Sequence, residues 1–98
     1  MNQDEVIARL KQHRDRLRPY SVQALYLFGS VARNEASAAS DVDLLVEFEA
    51  SAHIGLFDFV RLRRLLVQIL GCEVDLVTRD ALHPAMKDSI LEEAIRAA

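Results

Sequence analysis

Gln23-Ala24-Leu25-Tyr26-Leu27-Phe28-Gly29-Ser30-Val31-Ala32-Arg33 changes character at its glycine. The residues up to Phe28 are apolar or aromatic on both alternating faces, and the run is too short for a helix. They predict a buried strand. Gly29 ends it, and a short helical turn through Val31-Ala32-Arg33 is expected next. The following stretch, Asn34 to Ser40, is small and polar and reads as a loop.

Working outward, Asp41-Val42-Asp43-Leu44-Leu45-Val46-Glu47-Phe48 predicts a second strand. Val42, Leu44, Val46 and Phe48 share one face, and Asp41, Asp43, Leu45 and Glu47 share the other. Upstream, roughly Gln3 to Arg18 reads as a helix carrying Val6, Ile7, Leu10 and Leu17 on one broad face. Its N-terminal acids and C-terminal arginines suit the helix dipole, and Pro19 is expected to stop it. Downstream, a linker from Glu49 to Gly55 leads into a second long helix, Leu56 to Leu70, closed by Gly71. Glu73 to Val77 predicts a third strand. A connector, Thr78 to His83, precedes a last helix, roughly Pro84 to Ala97, with Met86, Ile90, Leu91 and Ala94 as its apolar stripe. This order implies an α/β (α+β) fold: a small mixed β-sheet flanked by helices.

The 98 residues suffice for one domain, spanning residues 1–98, with a small core. Charged residues make up 28% and the net charge is −3, which is ordinary for a globular chain and excludes an electrostatic nucleic-acid binder. Cys72 is the single cysteine, so no internal disulfide forms, and it reads as a small buried hydrophobe. The N-terminus lacks a secretory pattern. No apolar run approaches the ~20 residues that span a bilayer. The expected location is the cytoplasm, with no membrane partner.

Three features carry chemistry. Asp41 and Asp43 stand two apart on a predicted strand, so their carboxylates leave one face roughly 6–7 Å apart. Such a pair repels itself unless a cation such as Mg²⁺ binds both; it also occurs as two exposed aspartates at a strand start. Asp75 sits inside an apolar strand, where aspartate is depleted. If that strand lies beside the second one, the three carboxylates make a two-metal site plausible; alternatively Asp75 caps the following turn. Gly29-Ser30, between a strand and a helical turn, can cradle phosphate oxygens or can be a simple tight turn. His13, His53 and His83 are scattered without metal-ligand spacing and read as solvated or turn histidines. Arg61, Arg63 and Arg64 read as a solvated or partner-facing surface. Tyr20 and Tyr26 fit core packing better than contact with a base.

Taken together, Leu27-Phe28-Gly29-Ser30-Val31-Ala32-Arg33 and Ser40-Asp41-Val42-Asp43-Leu44-Leu45-Val46 closely resemble the signature of the polymerase-beta-like nucleotidyltransferases. That signature is Gly-Ser, ten residues, then Asp-x-Asp, and Val31 to Ser40 fill the gap here. The short chain, Val74-Asp75-Leu76-Val77-Thr78, and the ending Ile90-Leu91-Glu92-Glu93-Ala94 resemble the minimal branch, the MNT or MntA-like antitoxins. The resemblance implies the polymerase-beta-like nucleotidyltransferase fold, with ATP as substrate and Mg²⁺, two ions, as cofactor. It implies that Gly29 and Ser30 hold the triphosphate and that Asp41 and Asp43 ligate metal. Asp75 would be a further ligand or the base toward the acceptor hydroxyl. Arg33 would contact phosphate, or else pair with Glu35 or Asp41.

Nucleotidyl transfer also needs an acceptor, and no residues are left over to form an acceptor domain. The acceptor surface is therefore expected on a partner protein. By resemblance, the partner is a helical HEPN-type toxin, encoded adjacently, that receives AMP on a tyrosine, and the chain is the antitoxin of the pair. The chain does not resemble the toxin. In an Arg-x4-His-x-Tyr pattern, Arg9 stands one residue too close to His13, and Asp15 takes the place of the Tyr. Two alternatives stay open. One is a non-catalytic module that masks its partner sterically through the apolar faces of its two long helices. The other is a transferase for a small hydroxylated molecule.

Overall fold

The computed structural model describes residues 2–35 and 41–98. The elements run α1 (Gln3–Gln12), α2 (Arg14–Leu17), β1 (Val22–Phe28), α3 (Gly29–Ala32), β2 (Val42–Phe48), α4 (Leu56–Leu70), β3 (Val74–Thr78), α5 (Pro84–Glu93) and β4 (Ile95–Arg96). The four strands form one mixed sheet in the order β3-β2-β1-β4. β1 is antiparallel to β2 and β4, while β2 and β3 are parallel. A parallel pair needs a long crossover, and α4 supplies it.

The sheet sorts its side chains by strand alternation. One face carries Leu25 and Leu27 from β1, Val42, Leu44 and Val46 from β2, and Val74 and Leu76 from β3. Against it pack Val6 and Leu10 of α1 and Leu62, Leu66, Ile69 and Leu70 of α4, nearly all of them fully buried. Burying each such leucine is worth roughly 1.5–3 kcal/mol. Polar contacts fix the helix ends. Asn2 caps α1 by accepting the Glu5 N–H at 2.9 Å. Arg9 donates to the Leu70 carbonyl at 2.9 Å, setting a cation on the C-terminal end of α4. Gly71 closes α4 in the left-handed conformation, φ +71°, as the sequence predicts.

The other face is covered by α5 and the turn before it. Its core is small: Phe28, Leu45 and Leu82, joined by Tyr26, Val77, Ile90, Leu91 and Ala94. Tyr26 and Tyr20 both pack against apolar clusters, as expected.

Several boundaries differ from the sequence reading. The first helix does not run unbroken to Arg18. It ends at Gln12, where the His13 ring nitrogen shares the Arg9 carbonyl with backbone, and a second short helix follows. Pro19 does not stop it but sits inside a 3₁₀ turn, Arg18–Tyr20, which ends at Ser21 in the left-handed region. The turn after β1 begins at Gly29 itself, two residues early. β2 begins at Val42, leaving Asp41 just ahead of the strand and exposed. β3 is displaced by one residue, to Val74–Thr78, and the connector after it contains a 3₁₀ turn, Arg79–Ala81.

The largest difference is at the end. The last helix stops at Glu93, not Ala97, and Ile95–Arg96 pairs with β1 as a fourth strand. Ala94 to Ala98 carry no strand pattern. The pairing is decided by the open edge of β1, whose Leu25 N–H and C=O bond the backbone of Ala98 and Ala97 at 3.1 and 2.7 Å. Met86, expected on the apolar stripe, is 58% exposed. The apolar faces of α1 and α4 pack into the core; of the masking surface expected on them, Leu56, Phe57 and Val60 of α4 stay exposed. Of the loop expected from Asn34 to Ser40, residues 36–40 lie outside the described residues, as does Ser40 of the signature.

Candidate active site

The site forms where β1 ends and β2 and β3 begin, on the less apolar face of the sheet. The register places Phe28 opposite Asp43, and Asp43 opposite Asp75. Parallel pairing of β2 with β3 thus brings two carboxylates together that lie far apart in sequence. Asp43 is half-buried, while Asp75 and Asp41 are exposed. Asp41 stands at the mouth, close enough for its charge to act on Asp43.

Burial, then repulsion from Asp75 and Asp41, then a hydrogen bond with Asp75, push the Asp43 pKa up to about 6. Negative charge at this spot is thus undercompensated by the protein. Among the described residues no three His, Cys, Asp or Glu side chains form a ready-made metal cage. The donor set nonetheless fits a hard divalent ion, since Mg²⁺ takes one or two carboxylates and completes its shell with water and substrate phosphate.

Gly29 is fixed by this arrangement. It adopts φ +74°, and a Cβ built on it would overlap the Asp43 carboxylate, 3.0 Å from its Cγ. Only glycine lets the turn close over Asp43. Its N–H donates to Glu93 Oε1 at 3.0 Å. Ser30 follows in α3, partly exposed, and the Ala32 carbonyl at the far end of α3 accepts Gln3 Nε2 at 2.9 Å. Turn, carboxylates and α1 are therefore tied into one unit.

Arg33 follows α3. Its Nε donates to Glu35 at 3.1 Å, and its Nη1 donates to both oxygens of Glu93 at 3.1 and 2.9 Å. Glu35 is one of the two partners the sequence suggested. Glu93 is a site residue the sequence reading did not include: with the last helix expected to reach Ala97, nothing marked Glu93 as its end. These bonds hold Glu93 below the usual carboxylate range, chiefly through Arg33 and then the Gly29 N–H, and they raise Arg33.

The remaining candidates fall outside the site. His83 caps α5 by accepting the Ala85 N–H at 3.1 Å, His13 turns a helix end, and His53 is exposed. Arg63 pairs with Glu73 at 3.0 Å, and Arg61 and Arg64 are exposed. Cys72 is partly rather than fully buried, and burial pushes its thiol up, away from reactivity.

Comparison with known proteins places the chain in a family. A family model described as a nucleotidyltransferase domain matches residues 7–97. A candidate protein adenylyltransferase of Methanocaldococcus jannaschii is 46% identical over 76 residues, 78% of this chain and 80% of that protein. The protein adenylyltransferase MntA of Thermococcus cleftensis is 36% identical over 93 residues, covering 94% of this chain and 92% of the relative. A solved structure of a candidate minimal nucleotidyltransferase superposes with a TM-score of 0.79 at 37% identity, covering 97% and 95% of the two chains. The fold also recurs, at TM-score 0.64 and 19% identity over 93% of this chain and 70% of the other, in a complex of an MNT antitoxin with a tri-AMPylated HEPN toxin of Shewanella oneidensis. Sheet order, carboxylate register, family match and relatives converge: the chain belongs to the nucleotidyltransferase domain family and has the fold of its minimal members.

Proposed function

We propose that the chain transfers AMP from ATP to a hydroxyl of a partner protein, and that it thereby acts as the antitoxin of a toxin–antitoxin pair. The observation that carries this reading is the in-register pairing of Asp43 with Asp75 under the Gly29 turn. That arrangement sets paired carboxylates beside a Gly-Ser turn, as transfer from a metal-bound triphosphate requires. The relatives named protein adenylyltransferase support a protein acceptor. The HEPN partner is suggested by the complex in which the same fold occurs.

In this reading Asp41 and Asp43 would hold Mg²⁺, with Asp75 as the third carboxylate that would serve it or the acceptor. When bound, the metal offsets charge on the triphosphate and on the departing pyrophosphate. Gly29 shapes the phosphate turn, and Ser30 offers its N–H and hydroxyl to phosphate oxygens. The acceptor oxygen, a tyrosine hydroxyl, bonds to the α-phosphorus. The bond from that phosphorus to the oxygen bridging to the β-phosphate breaks, and pyrophosphate leaves. The hydroxyl proton passes to Asp75, whose exposure beside Asp43 suits it to meet an incoming side chain.

Steric neutralisation without transfer is a second reading. It is favoured by Leu56 and Phe57, 75% and 79% exposed at the start of α4, which offer apolar surface to a partner. One experiment separates the two. This protein and the product of the neighbouring reading frame are mixed with ATP and Mg²⁺, and both chains are weighed intact, with and without chelator. A metal-dependent gain of AMP on the partner, lost in Asp41→Asn/Asp43→Asn, is expected. A stable complex with no mass change, in which the same variant still neutralises, would favour masking.

A further inference from the structure

Glu93 is a carboxylate where a helix disfavours one. It is the last residue of α5, directly after Glu92, and no basic residue shares that last turn. The carbonyl end of a helix carries partial negative charge. A residue that breaks a local rule points to a tertiary reason. Here the reason is visible: the side chain reaches the turn between β1 and α3, accepting from the Gly29 N–H and from Arg33.

Two consequences follow from the geometry. First, the Gly29 N–H is committed to Glu93, so the phosphate-facing donors of the turn begin at Ser30. Gly29 is held on its Cα side by Asp43 and on its N–H side by Glu93, which leaves the turn little freedom. Second, Arg33 lies close enough to Asp43 for its charge to act on that carboxylate. Released from Glu93, the guanidinium would be drawn toward the aspartates and would compete there with a cation. Glu93 keeps it aside, both its oxygens accepting from Nη1, while Glu35 holds Nε.

We infer that Glu93 is a positioning residue: through the Gly29 N–H and Arg33 it fixes the phosphate turn and keeps the arginine off the metal carboxylates, without itself touching substrate. This inference rests on the reading of the chain as an AMP transferase.

The test is AMP transfer to the partner measured against Mg²⁺ and ATP concentration, for Glu93→Ala, Glu93→Gln, Arg33→Met and the Glu93→Ala/Arg33→Met pair. Glu93→Ala is expected to lower kcat about 10- to 100-fold, the scale of a misplaced active-site group, and to raise the Mg²⁺ needed for half-maximal rate. Glu93→Gln, which keeps an acceptor for Gly29, recovers part of the rate. In the double variant the metal requirement returns toward wild type, and the two losses fail to multiply by more than about 3-fold. Wild-type rates in Glu93→Ala, faster transfer in that variant, or losses that multiply independently would overturn the inference.

A wild-type protein that transfers nothing would strike the AMP-transfer reading alone. Glu93 is then judged without activity, by amide and guanidinium hydrogen exchange in the substrate-free protein. Exchange at the Gly29 N–H and at the Arg33 Nη hydrogens about 10-fold faster in Glu93→Ala than in wild type, with a smaller gain at Gly29 in Glu93→Gln and the β2 amides unchanged, supports the clamp. Unchanged exchange at both positions overturns it.

Discussion

The two faces of the sheet divide the labour of the molecule. The face under α1 and α4 is continuous and apolar, and no charged side chain is buried among the described residues. The face under α5 has a core of only three buried side chains, Leu45 alone of them fully buried, and opens at one end onto Asp43 and Asp75. Both faces come from the same strands, because adjacent residues alternate sides. Leu44 is fully buried on one side, while Asp43 and Leu45 lie on the other, one in the site and one in the minor core. Stability is concentrated where there is no chemistry, and like charges are gathered where the core is thinnest.

That contrast breaks first at Asp43. Asp43→Asn is expected to cost several kcal/mol of transition-state stabilisation, on the order of 10³-fold in AMP transfer, with the fold intact by circular dichroism. A comparable variant on the other face does the reverse. Leu66→Ala empties a fully buried position and is expected to lower unfolding free energy by about 2–5 kcal/mol in urea titration, while the folded fraction keeps its transfer rate. Gly29→Ala sharpens the boundary between faces. Its Cβ must displace the Asp43 carboxylate at positive φ, so a loss near 10²-fold in transfer is expected with only about 1–2 kcal/mol of stability, read from parallel rate and melting measurements.

The smallest effect is a gain. Asp43 has its pKa raised to about 6 in the fold, above the usual carboxylate value of ~3.9. Between those values the native state binds more protons than the unfolded chain, so metal-free stability falls as pH rises from about 4 to 6 and stays lower above. Asp43→Asn removes this penalty. Solvent access to the half-buried pair screens it, so a melting temperature only a few °C above wild type is expected at pH 7 without metal. The difference should close near pH 4, and saturating Mg²⁺ should shrink it at pH 7 by stabilising wild type alone.

Much of the fold was legible because its longest elements obey simple periods. Leu56–Leu70 and its closing Gly71 follow from helical spacing and one left-handed glycine. The Asp-x-Asp strand and the Gly-Ser turn were legible for the same local reason, and the resemblance rests on them. What the sequence could not give was set by partners distant in the chain. Ile95–Arg96 is a strand only because the β1 edge is open to it. Asp75 meets Asp43 only because β3 pairs parallel to β2 in that register. Glu93 reaches Gly29 and Arg33 across some sixty positions, a contact no local pattern encodes. The first helix breaks at His13, where the ring nitrogen shares the Arg9 carbonyl with the His13 N–H, a contact that apolar spacing does not register.

A divalent ion with nucleotide is expected on the less apolar face of the sheet and not on the other. The most direct test is Mn²⁺ titration of the isotopically labelled protein with a non-hydrolysable ATP analogue, followed by paramagnetic broadening of backbone amides. Broadening is expected to centre on Gly29-Ser30, Asp41 to Asp43 and Asp75, with α1 and α4 unaffected and the effect abolished by Asp43→Asn. Broadening centred elsewhere, or none at these residues at saturating ion and analogue, would contradict that expectation.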